Sequence, residues 1–165
     1  MRTPLWSACS LCFVACVRSP ITPVEPRTFV LTASFDEAWM SAVIWFATQP
    51  IAAVILDRDA GFLQSDEVSA TDLSTFAEHS PEGMFDCGAE LGVPRAMSGI
   101  TYMTLTILIE PVGPDTTAVR IEVRSHNVDE ASLLAPRQPC ASRGVVEQTV
   151  FRGLVAHLQT TTGWP

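Results

Sequence analysis

The segment that most constrains this chain lies between Ile100 and His126. Its second half alternates strictly, with Thr117, Val119, Ile121 and Val123 on one side and Arg120, Glu122, Arg124 and His126 on the other. Successive strand side chains point to opposite faces, so this pattern describes a sheet that is dry on one face and wet on the other. Ile100–Glu110, rich in Thr and Ile, precedes it, and Pro111-Val112-Gly113-Pro114-Asp115 supplies the turn of a hairpin. A sheet with one apolar face must be covered by another layer. The rest of the chain has to provide that cover.

Two segments carry the pattern of covering helices. Ser34-Phe35-Asp36-Glu37 has the serine and glutamate of a capping box, with acids in the first turn. The helix it opens runs to about Gln49, where Pro50 prevents continuation. Phe35, Trp39, Ala42, Val43 and Phe46 recur at helical spacing and form its core face. Met40, Ile44, Trp45 and Ala47 lie off that face and leave only a narrow polar arc of Glu37, Ser41 and Thr48. The second helix runs from about Arg143 to Thr160, capped by Ser142 or a neighbour, with Val146, Val150, Phe151, Leu154, Val155 and Leu158 as its apolar stripe.

A short strand over Thr28–Thr32 comes before the first helix. After it, Ile51–Leu56 and Phe62–Ala70 flank Asp57-Arg58-Asp59-Ala60-Gly61 as a second hairpin. Thr71–Gly99 is the least patterned stretch; a short helix at Asp72–Ala77 and then loop through Cys87 is its reading. The order is β-α-β-β-β-β-α. It predicts an α+β fold, an antiparallel sheet of two hairpins plus an N-terminal strand, packed on one face by two helices.

The N-terminus reads as an address. Thr3–Val17 is free of charge over fifteen residues, preceded by Arg2 and followed by Arg18. About 20 apolar residues are needed to span a bilayer, so the run fits the apolar part of a secretory signal instead. It closes on Phe13-Val14-Ala15-Cys16, which resembles the lipobox of bacterial lipoproteins, with Phe13 where leucine is usual. The resemblance implies cleavage before Cys16, acylation of that cysteine, and attachment of the protein to a membrane through lipid. Val17 after the cysteine, rather than aspartate, implies outer-membrane sorting and a periplasm-facing domain. The other readings of the run are a plain signal peptide and a buried N-terminal helix. Pro20, Pro23 and Pro26 make the next segment an extended tether. The expected organisation is therefore a signal peptide over residues 1–15, a lipidated cysteine and tether over 16–27, and one α+β domain over 28–162.

Loss of the leader removes Cys9 and Cys12 and leaves Cys87 and Cys140 in the domain. An even count in an exported protein reads as a disulfide. The competing readings, a metal site or a catalytic thiol, lack support: His79, His126 and His157 stand apart at no ligand spacing.

Composition and motifs exclude several activities. The ten positive charges are all arginine against eighteen carboxylates, a net charge of -8, which argues against nucleic-acid binding. Asp57-x-Asp59-x-Gly61 starts like a calcium loop, but the glycine and glutamate positions of that motif hold Phe62 and Val68. There is no G-x-S-x-G elbow, no H-E-x-x-H helix and no glycine-rich phosphate loop. Glu78-His79-Ser80 is adjacent in sequence only, and Glu110 and Glu122 fall on the wet side of the hairpin. The chain reads as a non-enzyme without cofactor or metal.

Ser34-Phe35-Asp36-Glu37-Ala38-Trp39 before an apolar helix, then a strand ending in an Asp-rich turn with Gly61, resembles the helix-grip domains of envelope lipoproteins. The BamC-like lipoproteins of the outer-membrane assembly machine are among them. Cys140-Ala141-Ser142-Arg143-Gly144-Val145-Val146-Glu147 likewise resembles the start of the last helix in small lipoproteins. The resemblance implies the fold and the envelope compartment, and with them an interaction module accessory to outer-membrane assembly. The apolar excess of the first helix at Met40, Ile44 and Trp45 then offers the contact surface for a protein partner, unless the final helix or the tether covers that side. The alternative is a domain that cups a small apolar ligand between helix and sheet. A cavity there would favour the ligand; exposed Trp45 and Ile44 would favour the partner.

Overall fold

The structure, a computed structural model, describes residues 25–72, 78–90, 93–97, 99–129 and 137–162. In chain order its elements are β1 (Arg27–Leu31), α1 (Phe35–Thr48), β2 (Ala53–Asp57), β3 (Phe62–Ser65), β4 (Val68–Ser69), α2 (Pro81–Met84), β5 (Phe85–Asp86), β6 (Ala89–Glu90), β7 (Val93–Pro94), β8 (Ile100–Gly113), β9 (Thr116–Val128), β10 (Gln138–Ser142) and α3 (Val145–Thr162). The β8–β9 hairpin is the spine, with Leu105 opposite Val123, Ile107 opposite Ile121 and Ile109 opposite Val119. β3 and β4 line the outer edge of β8, while β1 and β10 line that of β9. β2 lies beyond β3 and β5 beyond β10, making an eight-stranded sheet of antiparallel pairs.

The alternation sets which face is dry. Met103, Leu105, Ile107, Ile109, Val119 and Ile121 are buried, and Arg120 and Arg124 on the opposite side are exposed. Polar groups on the dry face are paired: Asn127 Nδ2 donates to Thr101 Oγ1 at 3.2 Å, and Thr117 Oγ1 donates to the Ala33 carbonyl at 2.8 Å. Such pairing is what makes burial of polar atoms tolerable. α1 packs over β8 and β9, and α3 over β9 and β1, so both helices cover the same face. This is an α+β fold with a helix-grip-like layout.

Four details differ from the sequence reading. Phe62–Ala70 is not one strand, because the chain breaks at Asp66–Glu67 and shifts from the β3 to the β4 position along β8. Ser65 caps the break, its Oγ accepting the Leu105 N–H at 2.9 Å. Gln138–Ser142 is a strand rather than a plain approach to the last helix. Ser142 accepts the Gly144 N–H at 3.0 Å and donates to buried Glu147 at 2.7 Å, so α3 begins only at Val145. Thr71–Gly99 contains α2 and the small β6–β7 ladder; the expected helix at Asp72–Ala77 lies outside the described residues beyond Asp72.

Gly61 is the position where the turn between β2 and β3 requires glycine. Its φ is +64°, and a Cβ there would run into the Ile109 carbonyl. Asp57 Oδ1 accepts the Ala60 N–H at 3.0 Å, so the Asp-rich segment serves as a turn.

Candidate functional site

Helix α3 presents two flanks to its neighbours, and they are built differently. On one flank it meets α1. Trp45 is only 2% exposed, with its indole over Gly153, where any Cβ would strike the ring. Ser41, also buried, donates from Oγ to the Leu154 carbonyl at 2.7 Å. Small residues at the crossing let the two helices close, and Trp45 fills what remains. This corrects the assignment of Trp45 to a partner-contact surface: it belongs to the core, because Gly153 leaves room for it. Met40 is 52% exposed and Ile44 is half-buried, so the three candidate contact residues do not form one exposed patch.

On the other flank α3 faces β1. Phe29 stacks on Phe151 with ring centroids 4.3 Å apart. Beyond this stack the surfaces diverge and leave a groove of about 480 Å³. Its floor is Leu31, Phe151, Val155 and Leu158, and its rim includes Glu37, Asp115 and Gln159. The three α3 residues are half-buried, unlike Val146, Val150 and Leu154, which are fully buried on the adjacent line of the helix. This groove thus lies mainly between the last helix and the first strand, with Glu37 of the first helix at its rim.

Glu37 is held at the rim by the capping box. Its Oε2 accepts the Ser34 N–H at 2.8 Å and the Ser34 hydroxyl at 2.7 Å, while its own N–H donates to Ser34 Oγ at 3.4 Å. The backbone hydrogen bond from Ser34, followed by that from its hydroxyl, holds the Glu37 carboxyl below the usual carboxylate range.

A second concavity of about 410 Å³ lies over the β2–β3 turn, lined by Phe35, Asp36, Arg58 and Gly61 among others. Arg58 and Asp36 pair across it at 2.8 Å. On the wet face of the sheet Tyr102 stacks on His126, and Glu67 lies 3.7 Å from His126 Nδ1 and 3.5 Å from Arg137. Alternation does not reveal that cluster, because Glu67 and Arg137 come from segments outside the hairpin. Among the described residues no group of three or more His, Cys, Asp and Glu side chains is placed to hold a metal ion.

Cys87 and Cys140 form a disulfide, with Cα atoms 4.1 Å apart. The pairing of β5 with β10 sets Asp86 opposite Ala141, and one step further along that register brings the two cysteines together. Cys16, the expected lipidation site, lies outside the described residues, as do the signal segment and most of the tether. Among the described residues no helix is long and apolar enough to cross a membrane.

Fold and groove together define an α+β domain with an open, largely apolar cleft beside its last helix. No family model and no curated protein matches the chain. Among solved structures, it is similar at 10% identity and a TM-score of 0.35 to a DUF4468 family protein from Bacteroides ovatus, over 72% of this chain and 64% of that one. Norcoclaurine synthase from Thalictrum flavum, in complex with dopamine and hydroxybenzaldehyde, aligns at 14% identity and a TM-score of 0.31, over 83% and 84% of the two chains. An uncharacterised protein from Bacillus thuringiensis aligns at 13% identity and a TM-score of 0.30, over 82% and 96%. Likenesses at this level say nothing about what the groove holds.

Proposed function

We propose that this protein is an exported, lipid-anchored binding domain of a bacterial envelope, and that the groove between β1 and α3 takes the apolar part of a small molecule. The observation that carries the binding function is the groove itself. Its volume of about 480 Å³ falls in the range of ~300–1,000 Å³ typical of small-molecule clefts, and its floor is aliphatic and aromatic. Export is supported by the Cys87–Cys140 disulfide, which persists in oxidising compartments. Anchoring at the outer membrane, facing the periplasm, is supported by the lipobox-like Phe13-Val14-Ala15-Cys16 and by Val17.

An accessory role in outer-membrane assembly depends on a docking patch at Met40, Ile44 and Trp45. With Trp45 in the core, that patch shrinks to Met40 and half-buried Ile44, and the ligand-binding reading takes precedence. Two experiments test the proposal. Radiolabelled palmitate should enter the parent protein and not Cys16→Ser, which should be released from the membrane or left unprocessed; soluble, unlabelled parent protein rejects the anchor. N-phenyl-1-naphthylamine fluorescence should rise on binding the parent and fall toward background in Leu158→Glu with the melting temperature nearly unchanged. Equal fluorescence in both proteins rejects the groove as the site.

A further inference from the structure

The charged side chains that line the groove have one sign. Glu37 and Asp115 line its rim, and no arginine or histidine lines it among the described residues. The net charge of -8 adds a field of the same sign. The N-terminal end of α1, which would otherwise favour an anion, does not offset this. Glu37 reaches back over the Ser34 N–H, and Asp36 stands beside it in the first turn, so carboxylates already occupy that helix pole. The lowered pKa of Glu37 keeps it ionised through the neutral range.

We propose that the ligand is a cationic amphiphile, a single-chain molecule whose apolar chain lies on Leu31, Phe151, Val155 and Leu158 and whose ammonium head faces Glu37 and Asp115. This rests on the reading of the groove as a small-molecule site. A fatty acid would fit the floor equally well but would set its carboxylate against two others, and like-charge placement of this kind discriminates between ligands of equal shape. The charges are exposed at a rim, so the preference should be moderate and should weaken as salt screens it.

The test uses the full chain carrying Cys16→Ser, so that no acyl group competes, and titrates it calorimetrically with decyltrimethylammonium, decanoate and the uncharged decyl maltoside, each below its micelle threshold. The expected order is cation, then neutral, then anion, with the cation about tenfold tighter than the anion at low salt. Glu37→Gln/Asp115→Asn should erase most of that difference, by weakening the cation and strengthening the anion. Asp115→Asn alone lies outside the capping box and supplies the same test, at part of the effect, if the double variant melts early. Decanoate binding as tightly as the cation, with decyl maltoside also bound, overturns the cationic ligand and leaves the groove as a site. Failure of all three to bind overturns the groove reading as well.

Discussion

The two flanks of α3 carry similar apolar residues, yet one is closed and the other open. Toward α1, the absence of a side chain at Gly153 admits Trp45, and the Ser41–Leu154 hydrogen bond holds the helices at close range. Toward β1, Phe151 meets Phe29, but past that stack no described residue as large as an indole fills the space above Leu31, Val155 and Leu158. Hydrophobicity alone therefore does not separate core from site. What separates them is whether the facing element supplies volume that matches the gap, since interiors are packed to near-crystalline density and an unfilled gap is unusual.

Breaking the closed flank should have the largest effect. Trp45→Ala should lower stability by about 3–5 kcal/mol in urea melts, as truncation of a large buried aromatic does. Gly153→Leu should also destabilise, because it evicts the indole, and the double variant should be more stable than the sum of the two predicts, since each side chain then occupies the other's space.

The disulfide comes next. It fixes the β5–β10 pair just ahead of α3 and so anchors the helix that both flanks share. Cys87→Ser/Cys140→Ser should cost about 2–4 kcal/mol, read as a fall in the denaturation midpoint.

The open flank should respond more weakly to the same kind of cut. Leu158→Ala should cost about 1 kcal/mol or less, because a half-exposed side chain loses little burial, yet it should weaken naphthylamine binding. A loss as large as that of Trp45→Ala would mean that the two flanks are equally closed.

The smallest effect concerns the rim and depends on pH. The folded-state pKa of Glu37 lies below its unfolded value, so its contribution to stability is full above the ordinary carboxylate pKa and is lost as pH falls through the lowered one. Glu37→Gln should therefore match the parent more closely at pH 3 than at pH 7, as pH-dependent melts would record.

The sequence was informative where one physical rule dominates. Period two over Thr117–Val123 gave the dry face of β9, and the capping box together with Pro50 gave α1 within a residue or two of its observed ends. It was less informative where two elements meet. Trp45 lies off the stripe of Trp39 and Phe46, and only Gly153, more than a hundred residues away in sequence, explains its burial. The groove was hidden for a related reason. Phe151, Val155 and Leu158 read as core because a stripe shows which side of a helix is apolar, not whether anything covers it. A partial signal was present: Val146, Val150 and Leu154 already make one continuous line, and the second line beside them is more than α1 can cover. Strands β5 and β10, short and lacking alternation, owe their pairing to the fold around Cys87 and Cys140 rather than to local preference.

The contrast between the flanks is tested most directly by residue-resolved NMR of the Cys16→Ser chain titrated with decyltrimethylammonium. The expected result is a saturable set of shifts at Val30, Leu31, Phe151, Val155 and Leu158, with the Trp45 indole N–H unmoved. Shifts centred on Met40 and Ile44, on the exposed β2 residues Val54, Ile55 and Leu56, or on the Trp45 indole would contradict it.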